Sequence, residues 1–160
     1  MITKEEYLDI YRVVGVAMEV YNTLGYGMAE PVYQEAFDME MKLQGMEPER
    51  EKQLLLYYKD MLMEKTYYAD FYYKGIVIEM KAVDKIISDH RAQLFNYMRI
   101  SKQQKGILLN FGEKSLRAER YVFDEDVDRF VLLTQENYKN FIFLTMNRIM
   151  LITKISFQKQ

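Results

Sequence analysis

The sequence predicts an α/β (α+β) fold, with a mixed central sheet flanked by helices. Three observations lead there. The chain opens with two stretches whose apolar residues recur at helical spacing. It continues with aromatic-rich runs of strand-like alternation. It then sets a helical stretch between two short apolar runs, the pattern of a crossover between parallel strands. At 160 residues there is room for one domain with a sizeable core and too little for two ordinary ones.

The first helix spans Thr3 to Leu24, with Thr3 and Glu6 at capping-box spacing. Ile10, Val13, Ala17, Val20 and Leu24 make one apolar stripe. Leu8, Tyr11, Val14, Met18 and Tyr21 make another beside it, so the spacing predicts a wide buried face. Gly25 to Gly27 end this helix. A second runs from about Glu30 to Leu43, with Pro31 tolerated in its first turn and Gly45 placed to stop it. Three strands follow: Gln53 to Lys59, then Glu64 to Tyr73 after a turn at Lys59-Asp60, then Gly75 to Val83 after a turn at Lys74-Gly75. Ser88 is the expected cap of a third helix reaching about Ile100. Gly106 to Phe111 is a short apolar strand whose runs predict cover on both faces. Leu116 to Phe123 alternates and is read as an edge strand. The order is α-α-β-β-β-α-β-β, with 1–124 as one domain and 125–160 as a C-terminal extension.

An apolar share of 49% and a charged share of 29% exclude a disordered chain. The sequence has no run of roughly 18 uninterrupted apolar residues, the length a bilayer span needs. Its start, MITKEEYLDIYR, carries acids where a secretory signal carries a basic segment. Cysteine is absent, which excludes disulfides and thiolate metal sites. The expectation is a cytoplasmic protein with no membrane contact. The net charge of −2 gives no overall basic surface, yet the charge is uneven. Arg99, Lys102, Lys105, Lys114, Arg117 and Arg120 crowd one stretch against Glu113 and Glu119 only. A solvated surface and a phosphate-binding patch are both open readings of it.

The stretch YYADFYYKGIVIEMKAV carries chemistry that a core hairpin does not need. Alternation puts Glu79 and Lys81 on one face, with Ile78 and Met80 on the other. With Lys74-Gly75 as the turn, Tyr73 pairs with Ile76, Asp70 falls opposite Glu79, and Tyr68 falls opposite Lys81. Cross-strand neighbours have Cβ atoms about 4.5–5.5 Å apart, so the two acids repel. Lys81 alone, a proton shared by the pair, or a divalent cation would each relieve that repulsion. Given no cysteine and one histidine, Mg²⁺ or Mn²⁺ suits such a site better than zinc.

The spacing of Asp70, Glu79 and Lys81 resembles the signature of the PD-(D/E)xK nuclease superfamily. More of the chain points the same way. Gly27, Glu30 and Tyr33 in GMAEPVY match the motif that names the GxxExxY proteins, a bacterial family of that superfamily. HRAQLFNY resembles the family's later H-x-x-Q-x-x-x-Y segment through His90, Gln93 and Tyr97, and LLNFG looks like its final strand. The match runs in order from about residue 10 to 123. Tyr21 and Tyr26 stand where the family more usually has a histidine and a proline.

The resemblance implies a restriction-endonuclease-like α-β-β-β-α-β core with one active site on the sheet. It implies Asp70 and Glu79 as Mg²⁺ ligands, Glu30 completing the metal site, and Lys81 acting on the attacking water and the phosphate. The implied activity is Mg²⁺- or Mn²⁺-dependent cleavage of nucleic acid, DNA in preference to RNA. The rival is a non-catalytic nuclease-fold module that binds a partner protein or nucleic acid. Gln93, Tyr97, Tyr33, Arg99 and Lys102 are the candidate substrate-binding residues, though structural bonding of Gln93 and core packing of Tyr97 are equally open. His90 is read as a helix-start residue or one that supports the metal ligands from behind, rather than as a ligand. The acid-free tail NFIFLTMNRIMLITKISF packs on the core, forms a partner interface (a homodimer included), or is an unselected extension.

Overall fold

The computed structural model describes residues 1–142; the apolar tail from 143 onward lies outside the described residues. The chain forms α1 (Lys4–Leu24), α2 (Glu30–Leu43), β1 (Glu49–Tyr58), β2 (Met61–Tyr73), β3 (Ile76–Lys81), α3 (Ser88–Ser101), β4 (Lys105–Asn110), β5 (Arg117–Asp124), β6 (Arg129–Leu132) and α4 (Tyr138–Phe141). The predicted elements appear in the predicted order. β6 and α4 are added to them, inside the segment read as an extension.

One six-stranded sheet runs β1-β2-β3-β4-β5-β6. Its neighbours are antiparallel except β3 and β4, which run parallel on either side of α3. β5 is not the edge that its alternation suggested. Its residues 121–124 pair with β6, so β1 and β6 are the edges. The alternating pattern shows only that the two faces of a strand differ; it carries no information about its neighbours.

The helices take opposite faces. α1 and α2 pack Ile10, Val13 and Phe37 against Phe71, Ile78 and Leu109. α3 packs Leu94 and Met98 against Val77, Leu108 and Tyr121 on the other side. β3 and β4 lie between the two layers, and β4 is buried along its whole length as expected. Phe37 meets Phe71 edge-on at 5.0 Å, and both are fully buried. Truncating either to alanine costs about 3–5 kcal/mol by the cavity rule.

The capping box at α1 is present. Thr3 Oγ1 accepts from the Glu6 N–H at 3.1 Å, and Glu6 Oε2 accepts from the Thr3 N–H at 2.7 Å. One of α1's two apolar stripes is buried from Ile10 to Val20, with Leu24 partly buried; the other is not. Tyr11 and Met18 are exposed, because the helix has a sheet on one side and water on the other. α3 begins differently from expectation. Ser88 is its first residue rather than its cap; the Ile87 N–H donates to His90 Nδ1 at 3.2 Å, so His90 secures the helix start. β1 and β2 run ten and thirteen residues against six in β3, so the outer part of their hairpin extends beyond the sheet. Leu55, Tyr57, Tyr58, Met61 and Leu62 are exposed there. Among the described residues no helix is long and apolar enough to cross a membrane.

Two glycines mark places where elements touch closely. A Cβ on Gly112 would collide with the backbone N and O of Val83, and one on Gly106 would collide with the Met98 sulfur. The Met98 thioether can swing aside; the Val83 backbone cannot without moving the segment after Lys81. Gly112→Ala is therefore expected to lower stability by about 1–3 kcal/mol and Gly106→Ala by less, the cost of overpacking a tight site. Urea unfolding of the two variants checks the order, and equal losses would mean that the 112–83 contact yields as readily as a methionine.

Candidate active site

β2 and β3 part where the acids stand. Backbone pairing runs from Tyr73↔Ile76 to Phe71↔Ile78, the register predicted from the turn, and ends there. The next rung is made by side chains. Glu79 Oε1 accepts from the Asp70 N–H at 3.1 Å, and Asp70 Oδ2 accepts from the Met80 N–H at 2.8 Å. Each acid thus closes the backbone that the other's strand leaves open. Beyond this point β2 pairs with β1 alone, so the expected pairing of Tyr68 with Lys81 does not form. The ladder ends one rung before the acids because carboxylates replace the carbonyls as acceptors.

Strand alternation sends Ile76, Ile78 and Met80 into the α1–α2 core and leaves Glu79 and Lys81 toward α3. Glu79 is 1% exposed, and Asp70 is half-buried. Burial pushes the Glu79 carboxyl well above its ordinary range, and the neighbouring Asp70 charge adds to the rise. Asp70 is raised as well, chiefly by burial, while the Met80 N–H and Lys81 pull it back. The proximity of the two carboxyls favours the proton on Glu79 over Asp70. Lys81 Nζ donates to Gln93 Oε1 at 2.9 Å, and Gln93 Nε2 donates to the Tyr97 hydroxyl at 3.1 Å. Helical spacing of four puts Gln93 and Tyr97 on one side of α3, facing the lysine.

Glu30 reaches the same place from the opposite layer. It is the first residue of α2, half-buried, and its carboxyl is raised by burial and by Asp70, with Lys81 and the Ala82 N–H offsetting part of the rise. The loop before it is held by Tyr33. The Tyr33 hydroxyl donates to the Gly25 carbonyl at 2.6 Å and accepts from the Met28 N–H at 3.2 Å, and its ring stacks on Phe111 at 4.7 Å. Gly27, at φ 100°, makes a bend that a larger residue resists. The G-x-x-E-x-x-Y spacing is thus a device for presenting Glu30. Tyr33 is fully buried, so its assignment to substrate binding is corrected: it holds a loop and meets no solvent.

The basic stretch does not form one surface. Lys105 is buried and pairs with Glu6 at 2.9 Å on the α1 side. Arg117 pairs with Glu113, and Arg120 faces α1. Arg99 and Lys102 remain exposed at the end of α3, and Arg99 stands on the groove beside Gln93. Strand alternation and helix packing send these neighbours in sequence to different sides.

Two residues matter that sequence reasoning missed. Asn110 is fully buried; its Oδ1 accepts from the Val83 and Gly112 N–H groups, and its Nδ2 donates to the Val83 carbonyl and to Glu113. It ties the end of β4 to the segment after Lys81, and its signal was a lone amide in an apolar strand. Glu51 lies on β1 across from Asp70, between the pairs Arg50↔Phe71 and Lys52↔Ala69, at φ 49°. Its charge contributes to the rise at Asp70. Nothing in the sequence marks it.

The donor set suits a hard cation. Asp70 and Glu79 are oxygen ligands that burial and mutual repulsion disfavour as anions, and a dication would relieve both. Among the described residues no group of three His, Cys, Asp or Glu side chains is arranged to hold a metal ion.

With that geometry established, the profile of the PD-(D/E)XK nuclease superfamily matches residues 8–122. No curated protein matches the chain in sequence. A solved structure, the crystal structure of SSO0001, overlays with a TM-score of 0.46 at 18% identity, over 73% of this chain and 58% of that one. The chain thus spans less than two thirds of that neighbour's length, and a likeness at this level carries no argument.

The buried acid pair has a pH signature. A carboxyl raised on folding holds its proton more tightly in the folded state. In metal-free protein its contribution to stability is therefore full below 4.5, the ordinary glutamate value, and is lost as pH rises toward about 9. Glu119, held low by Arg91, acts oppositely and at more acid pH. Glu79→Gln removes the titrating group, so its melting temperature should gain on wild type steadily across that window. Thermal melts in EDTA at a series of pH values check this, and parallel curves would mean that Glu79 titrates normally.

Proposed function

The chain belongs to the PD-(D/E)XK nuclease superfamily, and on that premise we propose that it is a divalent-metal-dependent nuclease of the GxxExxY family, cleaving phosphodiester bonds at the Asp70–Glu79–Lys81 site. One observation carries the reading: where β2 and β3 part, a buried and a half-buried carboxyl meet a lysine on one face of the sheet, and Glu30 approaches them from α2. Asp70 and Glu79 would hold Mg²⁺ or Mn²⁺, with Glu30 as the supporting acid. When bound, such an ion relieves charge on the phosphate and lowers the pKa of a coordinated water.

The chain's own residues supply the rest. Gln93 fixes the Lys81 ammonium through its amide oxygen. Lys81, on the same strand face as Glu79, is then oriented to steady a phosphate oxygen and to fix the attacking water. Tyr97 holds the Gln93 amide in turn. Asn110 and Gly112 keep the segment after Lys81 close to β4. Buried walls on both sides of β3 keep bulk water away from the carboxyls, which strengthens every charge interaction among them. The nucleic-acid substrate, DNA in preference to RNA, and a cytoplasmic setting go with this reading.

A second reading has one observation in its favour. Lys105 and Arg117 are committed to ion pairs, so two of the six cations of the basic stretch are not free to grip a phosphate backbone. A nuclease fold that only binds a partner would look the same there. The intact acid–acid–lysine set favours the enzyme.

Cleavage of single- or double-stranded nucleic acid in Mg²⁺ or Mn²⁺, stopped by EDTA, is the expected activity. Lys81→Ala should lose cleavage by on the order of 100-fold, as for a residue that moves or holds a proton, and keep the rise in melting temperature that the metal produces. Asp70→Ala should lose both. The same residual activity in wild type and both variants would be a contaminant's, and the binding-module reading would then replace this one.

A further inference from the structure

Beside Lys81 lies a groove that shares Gln93 and Tyr97 with this site and extends beyond it. It runs along α3, between that helix and the β1–β2 hairpin, and holds about 650 Å³. Leu56, Tyr67, Gln93, Asn96, Tyr97 and Arg99 line it. The volume falls within the range of ordinary ligand clefts, roughly 300–1,000 Å³. It is joined to the acid site by a chain of contacts: Lys81 to Gln93, Gln93 to the Tyr97 hydroxyl, and the Tyr97 ring to the Tyr67 ring at 5.7 Å. The Lys65 ammonium sits 5.2 Å from the centre of the Tyr67 ring. Lys65 is exposed and Tyr67 half-buried, so a group arriving from solvent reaches the ring's π surface when the lysine side chain swings aside.

We propose that the groove takes a single-stranded segment of nucleic acid, with a base stacked on Tyr67 and a phosphate toward Arg99. The substrate class is then a single strand or a frayed end, not a continuous duplex. The inference rests on the nuclease reading of the Asp70–Glu79–Lys81 site. Charge argues for it. A duplex is gripped by neutralising many phosphates, and here Arg91, Lys105 and Arg117 are held by Glu119, Glu6 and Glu113. Stacking on aromatic rings needs few cations and accepts any base. Arg99, an exposed cation lining the groove, lies at the end of α3 away from Asp89, which gives the helix side of the groove a positive and a negative end. A phosphate belongs at the first. Further out on the same hairpin, Tyr57 and Tyr58 are exposed and offer more rings to a strand leaving the groove.

Fluorescence anisotropy in EDTA, where no cleavage occurs, tests this with labelled oligonucleotides of about twelve residues, near the site size of single-strand binders. The probes are single-stranded DNA, single-stranded RNA of the same sequence, and the DNA duplex. The single strand should bind at least about tenfold more tightly than the duplex, with the DNA and RNA arms telling which sugar is preferred. Tyr67→Leu should weaken single-strand binding by about tenfold, and Tyr67→Phe, which keeps the ring, should hold it within about threefold. Asn96 is exposed on α3, so Asn96→Glu tests the groove without touching the core and should weaken binding similarly. Duplex binding equal to or tighter than single-strand binding overturns the proposal. So does unchanged affinity in Tyr67→Leu and Asn96→Glu, or self-association through the groove with no oligonucleotide bound. Cleavage is scored separately in Mg²⁺. Duplex cutting without single-strand binding leaves the nuclease reading standing and sinks this one; Tyr67-dependent binding without cutting does the reverse.

Discussion

The reciprocal bonding of Asp70 and Glu79 across the parting of β2 and β3 is the constraint around which the site is arranged. Two antiparallel strands normally satisfy each other's backbone along their whole length. Here they stop at Phe71↔Ile78, and two carboxylates take over as acceptors for the Asp70 and Met80 N–H groups. The substitution frees β2 to follow β1 away from β3, and it leaves between them two carboxyls that resist ionising together. Backbone geometry and electrostatic tension arise from the same four atoms. The fold tolerates the tension because each carboxyl also accepts a backbone hydrogen bond that would otherwise be missing.

The surrounding structure acts to hold that point still. α1 and α2 cover one face of β3, α3 covers the other, and the strand has no freedom to twist its side chains between them. Asn110 spends all its polar capacity on Val83, Gly112 and Glu113, which pins the chain just past Lys81. Tyr33 does the same on the other side by clamping the Gly25–Met28 loop in front of Glu30. None of these residues faces a substrate. Their contribution is to reduce the number of places in which Glu30, Lys81 and the acid pair can be found.

The distribution of charge divides labour between the two faces of the sheet. On the α1 side, Lys105 and Glu6 form a pair in which the lysine is buried and the glutamate half-exposed. On the α3 side, Arg91 grips Glu119 through two bonds, and the Tyr121 hydroxyl donates to the same carboxylate. These cations serve the fold, which is why a locally basic stretch of sequence yields no basic surface. What the α3 side presents instead is an aromatic and amide-lined groove beside the lysine.

By itself the sequence determined the layers, the element order, the hairpin register and the grouping of Asp70, Glu79 and Lys81. Those follow from short-range rules: apolar period, turn chemistry and strand alternation act over a few residues and are written into them. The same rules placed Gln93 and Tyr97 on one side of α3, though not what they touch. Tertiary structure alone decided the rest. It turned Tyr33 into a buried clamp, since burial depends on what packs above a helix and not on the helix's own pattern. It sent Lys105 and Arg117 into ion pairs with acids far away or on another turn of chain. It gave β5 a partner in β6, brought Glu51 across from Asp70, and made Asn110 a brace. Most of these are contacts between segments distant in sequence; the Arg117–Glu113 pair and the β5–β6 hairpin are local but depend on what packs around them. The energy of a distant contact belongs to a pair of surfaces, and neither segment, read alone, carries the other half.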